Sequence, residues 1–116
     1  MNNYKKFIWV TTSFIGFHRW TDAPEKTKFL RLMHRHIFHI KLQIEVFHND
    51  RELEFFDIKE RLESFVNINF SNKEDIGSCE MIGEKIIDYF RKKYGCNRKY
   101  KVEVSEDNEN GSIIIL

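Results

Sequence analysis

The sequence predicts an α+β fold: a four-stranded antiparallel sheet, ordered strand-strand-helix-helix-strand-strand, with both helices on one face. Three observations lead there. From His34 to Phe47 apolar and polar residues alternate with period two, as a half-buried strand requires. Two later segments repeat apolar residues at steps of three and four, the spacing of one helix face. The C-terminal stretch reads as two short strands around a turn. Placing both helices on one face of an antiparallel sheet is the economical way to bury the apolar side of each element.

Taken in order, Tyr4 to Phe17 is rich in β-branched and aromatic residues, including Phe7, Ile8, Trp9, Val10, Phe14 and Ile15, which favours an extended segment ending at His18. Both of its registers are apolar in places, so it reads either as a strand buried on both faces or as one with a bulge near Gly16. Without a bulge, His18 shares the face of Ile8, Val10 and Phe14. Residues 19–33 connect to the next strand, with Thr21 to Glu25 reading as a capped start and Lys26 to Met33 as a short helix or ordered loop.

In the strand from His34 to Phe47, His34, His36, Phe38, Ile40, Leu42, Ile44 and Val46 share one face. The two histidines therefore point to the buried side. Like-facing residues of a strand sit about 7 Å apart and metal–nitrogen bonds add about 2 Å each, so both imidazoles can reach one ion. The other reading is two half-buried histidines satisfied by backbone carbonyls.

His48 to Asp50 makes a turn, and Leu53 to Val66 has helical spacing through Phe55, Ile58, Leu62 and Phe65. Asn67 to Asn72 reads as a polar connection. A second helix runs from about Ser78, its candidate N-cap, to Tyr94, with Ile82, Ile86, Tyr89 and Phe90 as the apolar stripe and Gly95 as its stop. Tyr100, Val102, Val104 and Glu106 share one face of a third strand, so an apolar face ends in a carboxylate. Asp107 to Gly111 is turn-forming, with Asn110-Gly111 as its strongest signal, and Ser112 to Leu116 completes a hairpin. Such an apolar edge strand invites pairing with another subunit.

The length fits a single domain, 1–116, undivided by repeats or linkers. The 19 basic and 18 acidic residues nearly cancel, so no basic surface points to nucleic acid, and function is expected in a site. Cys79 and Cys96 form no CxxC, which argues against a thiolate metal site or a disulfide scaffold and for a reducing cytoplasm. The apolar run Phe7 to Phe17 is interrupted by Thr11, Thr12 and Ser13 and is too short to cross a membrane.

Several short motifs occur in one order along nearly the whole chain: Gly16-Phe17-His18-Arg19, then His34-Arg35-His36-Ile37-Phe38, then Glu54 to Lys59, Ser78-Cys79-Glu80, and Val102 to Glu106. Together with the element order they resemble the 6-pyruvoyl-tetrahydropterin synthase and 6-carboxytetrahydropterin synthase family, which has the tunnelling fold. The first strand of that family ends in Ala-Ala-His-Arg and its second opens with His-Gly-His. The 16 residues separating His18 from His34 are close to the family's spacing.

The resemblance implies that His18, His34 and His36 hold one Zn²⁺ with an open position, and that Glu106 accepts two hydrogen bonds from the ring of a substrate such as 7,8-dihydroneopterin triphosphate. The other reading of Glu106 is a strand-end carboxylate facing water. The resemblance further implies a carbon–oxygen lyase of the biopterin or queuosine type, working as a homo-oligomer, a trimer or hexamer, in the cytoplasm. A non-catalytic module binding a pterin, purine or modified guanine is the alternative. Where the family has a proton-abstracting Cys, the positions here are Phe29 and Leu30, and no Asp-His pair falls between the helices. Glu25 is the nearest candidate for a replacement catalytic base, or else an exposed first-turn residue. Cys79, at a helix start, reads as a buried structural thiol.

Overall fold

Alternation in the sequence becomes a sheet because one apolar face per strand is long enough to be worth burying. The computed structural model describes residues 3–116. Strands β1 (Lys6–His18) and β2 (His34–Val46) form a long antiparallel hairpin, β3 (Tyr100–Glu106) pairs with β2, and β4 (Asn110–Ile115) pairs with β3, giving the order β1-β2-β3-β4. Helices α1 (Phe55–Asn69) and α2 (Cys79–Tyr94) lie between β2 and β3 in the chain. A 3₁₀ segment, Glu25–Arg31, fills the connection between β1 and β2. The predicted α+β architecture and antiparallel sheet are those observed.

The register places Val10 beside Leu42, Leu42 beside Val102 and Val102 beside Ile114, so one apolar row crosses all four strands. Ile58, Leu62 and Val66 of α1 and Ile82, Ile86, Ile87 and Phe90 of α2 are buried in the same cluster as that row. Both helices therefore cover one face, as expected. Each fully buried aliphatic side chain of this kind contributes roughly 1.5–3 kcal/mol relative to exposure. Gly83 makes the close approach of α2 possible, because a Cβ there would run into Ile114 and Val102.

Four local expectations are corrected. β1 pairs with β2 without interruption from Lys6 opposite Val46 to His18 opposite His34, so it has no bulge. Nor is it buried on both faces: Phe7 and Trp9 are exposed while Val10 and Phe14 are buried. Gly16 is there for space, since Ile76 packs where its Cβ would be. α1 continues to Asn69, and its buried stripe is Ile58, Leu62 and Val66; Phe55 is exposed and Phe65 sits half-buried against Tyr89. Finally, the β3–β4 turn is Asp107 to Glu109, with Asp107 and Asn108 in the left-handed region at φ 55° and 59°, while Asn110-Gly111 belong to β4. Asp and Asn tolerate that region better than other non-glycine residues, which is why the turn forms there.

Candidate metal centre

The connected end of the β1–β2 hairpin, where residues 19–33 join the two strands, gathers the three histidines. His18 and His34 are opposite one another in the register, and His36 follows two residues on along the same face of β2. Their ring centroids lie 4.6 to 5.1 Å apart, with planes inclined at 67 to 88° to one another. One nitrogen from each falls within 4.8 Å of the other two, and this is the one group of three such residues with metal-holding spacing among the described residues. Phe38, two residues further along and completely buried, meets the rings of His18 and His36 edge-on at 5.2 and 5.7 Å.

Each imidazole is held by its Nδ1. His18 Nδ1 lies 2.8 Å from the Gly77 carbonyl, His34 Nδ1 2.8 Å from the Leu32 carbonyl, and His36 Nδ1 2.8 Å from Asp107 Oδ2. All three partners are acceptors, so each Nδ1 carries a proton, and in the neutral ring each Nε2 has the lone pair. This outer shell of carbonyl and carboxylate acceptors is the arrangement that orients metal-binding histidines.

The chain positions these acceptors by specific loop contacts. Residues 71–78 run along the end of β1, with Asn72 N donating to Ile15 O, Phe17 N to Lys73 O, and Ile76 N to Phe17 O. That path delivers the Gly77 carbonyl to His18, and Gly77 at φ 97° makes the final bend into α2. In the β1–β2 connection Trp20 N donates to Leu30 O, which closes the loop and sets Leu32 beside His34.

Glu106 completes the cluster. Its Oε2 lies 3.1 Å from His18 Nε2 and its Oε1 3.6 Å from His36 Nε2. The Glu106 carboxylate sets a negative charge against these nitrogens, which favours a positive charge among them, either a bound metal ion or a proton on a ring. His36 Nε2 is buried and has no hydrogen-bond partner. A metal ion answers both requirements, and three neutral imidazoles are a borderline-soft donor set suited to Zn²⁺ and its neighbours in the first transition row. The residues present thus fit a metal.

Cys79, the first residue of α2, is also at this site. Its Sγ lies 3.9 Å from Glu106 Oε2. Burial first, and then the charges of Glu106 and Glu80, push the thiol up to about 12, so at neutral pH it stays protonated and donates to Glu106. Asn110 Nδ2 donates to the other oxygen, Oε1, at 3.3 Å. Ser112 Oγ donates to Glu80 close by.

These groups line a cavity of about 580 Å³ whose walls include His18, His34, Cys79, Glu80, Glu106 and Trp20. A space of that size accommodates a small molecule. A larger groove of about 690 Å³, lined by Thr11, Ser13, His39, Lys41 and Glu103 among others, contains none of these ligands.

Of the residues singled out from the sequence, His18, His34, His36 and Glu106 are brought together. Glu25 is not: it is exposed, ion-paired with Lys28 at 3.3 Å and Arg31 at 3.5 Å, and absent from the cavity wall. His39 and His48 lie elsewhere, as expected. Sequence reasoning missed Asp107, which reads as an ordinary turn residue, and gave Cys79 no place in the site. The signal for Asp107 was its position: it follows the strand-end Glu106 directly, and the register sets it opposite Ile37, next to His36. No protein-family model matches the chain, and no curated protein matches it.

Proposed function

We propose that the chain is a divergent zinc-dependent lyase of the 6-pyruvoyl- and 6-carboxytetrahydropterin synthase type, with the tunnelling fold, acting on 7,8-dihydroneopterin triphosphate or a related pterin. The observation that supports this best is the convergence of one nitrogen each from His18, His34 and His36 beside the Glu106 carboxylate, at a cavity that His18, His34 and Glu106 line. His18, His34 and His36 would hold the zinc. When bound, the ion supplies Lewis-acid polarisation of a substrate oxygen. Glu106 accepts two parallel hydrogen bonds from the ring N–H and exocyclic amine of a pterin, the edge that a carboxylate recognises as it recognises a guanidinium. Cys79 and Asn110 hold the Glu106 carboxylate in place for that role.

A second reading is favoured by a specific observation. Glu25, the candidate base, sits on the outer surface, and the Cys79 thiol at the site is held protonated, so neither is poised to take a proton. The module would then bind a pterin, purine or modified guanine without changing it.

Incubating zinc-loaded protein with dihydroneopterin triphosphate, followed by chromatography, separates the two. Loss or rearrangement of the side chain supports the lyase. Saturable binding with the ligand recovered intact supports the module. In either case Glu106→Gln is expected to weaken ligand binding by about 10- to 100-fold, the worth of a charge-assisted hydrogen-bond pair. Binding that is unchanged by Glu106→Gln contradicts both readings of this pocket.

The tunnelling-fold reading carries with it a trimer or hexamer. It is supported by two apolar outer strands: Phe7 and Trp9 of β1, and Ile113 and Ile115 of β4 at 59 and 61 % exposure. Light scattering is expected to give three or six times the chain mass, and a monomer at micromolar concentration contradicts this assembly. No helix among the described residues is long and apolar enough to cross a membrane. The two unpaired cysteines suit a reducing compartment.

A further inference from the structure

We propose that Asp107 is a positioning residue for the metal centre, fixing His36 in the one tautomer and orientation that can ligate. The proposal rests on the metal reading of the histidine cluster, and it concerns a side-chain contact, Asp107 Oδ2 to His36 Nδ1, that the turn does not require.

Asp107 is clamped to β2 by three hydrogen bonds. Its backbone N–H donates to Ile37 O at 2.8 Å, its Oδ1 accepts from Ile37 N–H at 2.9 Å, and its Oδ2 lies 2.8 Å from His36 Nδ1. The carboxylate therefore has no freedom to turn away from the ring. One carboxylate oxygen is occupied by Ile37 N–H, and the other faces His36 Nδ1 as an acceptor. A ring facing an acceptor at Nδ1 donates there, so when the ring is neutral its lone pair is on Nε2. That atom is the buried, unpartnered one that faces His18 and Glu106.

His18 and His34 receive the same treatment from backbone carbonyls, which no substitution removes. His36 alone depends on a side chain. A charged acceptor also raises the basicity of the ligating nitrogen more than a carbonyl does. The left-handed φ of 55° at residue 107 explains why an Asp can sit there without strain that a branched residue would incur.

The test uses Asp107→Asn and Asp107→Ala in the full chain, with zinc alone as the probe. Asn tolerates the same backbone conformation and keeps an oxygen for Ile37 N–H, but turns an amide N–H₂ toward His36 Nδ1. Zinc affinity, measured by competition with a chromophoric chelator, is expected to fall about 10- to 100-fold in both variants. Nitrogen NMR of the metal-free Asn variant is expected to show His36 shifted toward the Nε2–H tautomer, with the thermal midpoint of the metal-free protein little changed. A merely structural turn residue would lower the midpoint and leave the tautomer alone. Zinc affinity within about threefold of wild type in both variants, with His36 still protonated on Nδ1, overturns the proposal while leaving the metal site intact. A wild-type chain that takes up no zinc overturns the metal reading and this proposal with it.

Discussion

Phe38→Ala is expected to cost about 3–5 kcal/mol of stability, the usual range for truncating a buried aromatic. Phe38 is completely buried, stacks on Phe14 at 5.3 Å, and supports the rings of His18 and His36 from below. Removing it leaves a cavity at the junction of sheet and site, against a total stability for such domains of about 5–15 kcal/mol. For a chain of this length the thermal midpoint should fall by roughly 10–20 °C. Metal affinity should fall as well, because two of the three imidazoles lose the surface that sets their tilt. Phe38→Leu fills most of the space and should be milder on both measures. Denaturant unfolding of the two variants checks this, and a loss below about 1 kcal/mol in Phe38→Ala would contradict the packing described.

Single substitutions His18→Ala, His34→Ala and His36→Ala should each lower zinc affinity by at least about 100-fold, since a three-imidazole centre that loses one ligand retains an incomplete coordination sphere. The same chain supplies its own controls. His39 lies on the opposite face of β2, and His48 accepts from Asp50 N in the turn after it. His39→Ala and His48→Ala should therefore bind zinc like wild type. His18 is the most buried of the three, 8 % exposed, so its removal also opens space beside Phe38 and should destabilise the metal-free protein more than His34→Ala does. Retained binding in any of the three variants, or loss in either control, would put the ion elsewhere.

How far the sequence reaches follows from where the information lies. The alternation around Phe38, Ile40, Leu42 and Ile44 is a property of side chains, and the observed strand buries those residues. His34 and His36 share their face through the same parity. His18 joins them only because β1 runs without a bulge, and the sequence alone left that open; the small residue at 16 answers to Ile76, which arrives from 60 residues away. The α1 stripe differs from the expected one at both ends, with Phe55 exposed and Val66 rather than Phe65 buried. Phe65 and Val66 both lie near the core-facing side, and the i, i+4, i+8 series Ile58, Leu62, Val66 points most directly at the sheet.

The outer shell of the site was least legible. Gly77 and Leu32 act through backbone carbonyls, which carry no residue signature, and both are delivered by loops whose course depends on tertiary contacts. Asp107 does carry a signature, but turn chemistry explains an Asp after a strand equally well. The Asn110-Gly111 pair, a strong turn signal in isolation, lost to Asp107-Asn108 because the β3–β4 ladder continues through Glu106 and Asn110.

The most direct measurement is X-ray absorption at the zinc edge on protein loaded with one equivalent of zinc, alongside His36→Ala. A first shell containing three imidazole nitrogens at about 2.0–2.1 Å, reduced in the variant, is the result expected of a centre built from His18, His34 and His36. A sulfur scatterer near 2.3 Å would instead make Cys79 or Cys96 a ligand, and a shell of light oxygen atoms without imidazole would show that the histidine cluster does not hold the metal.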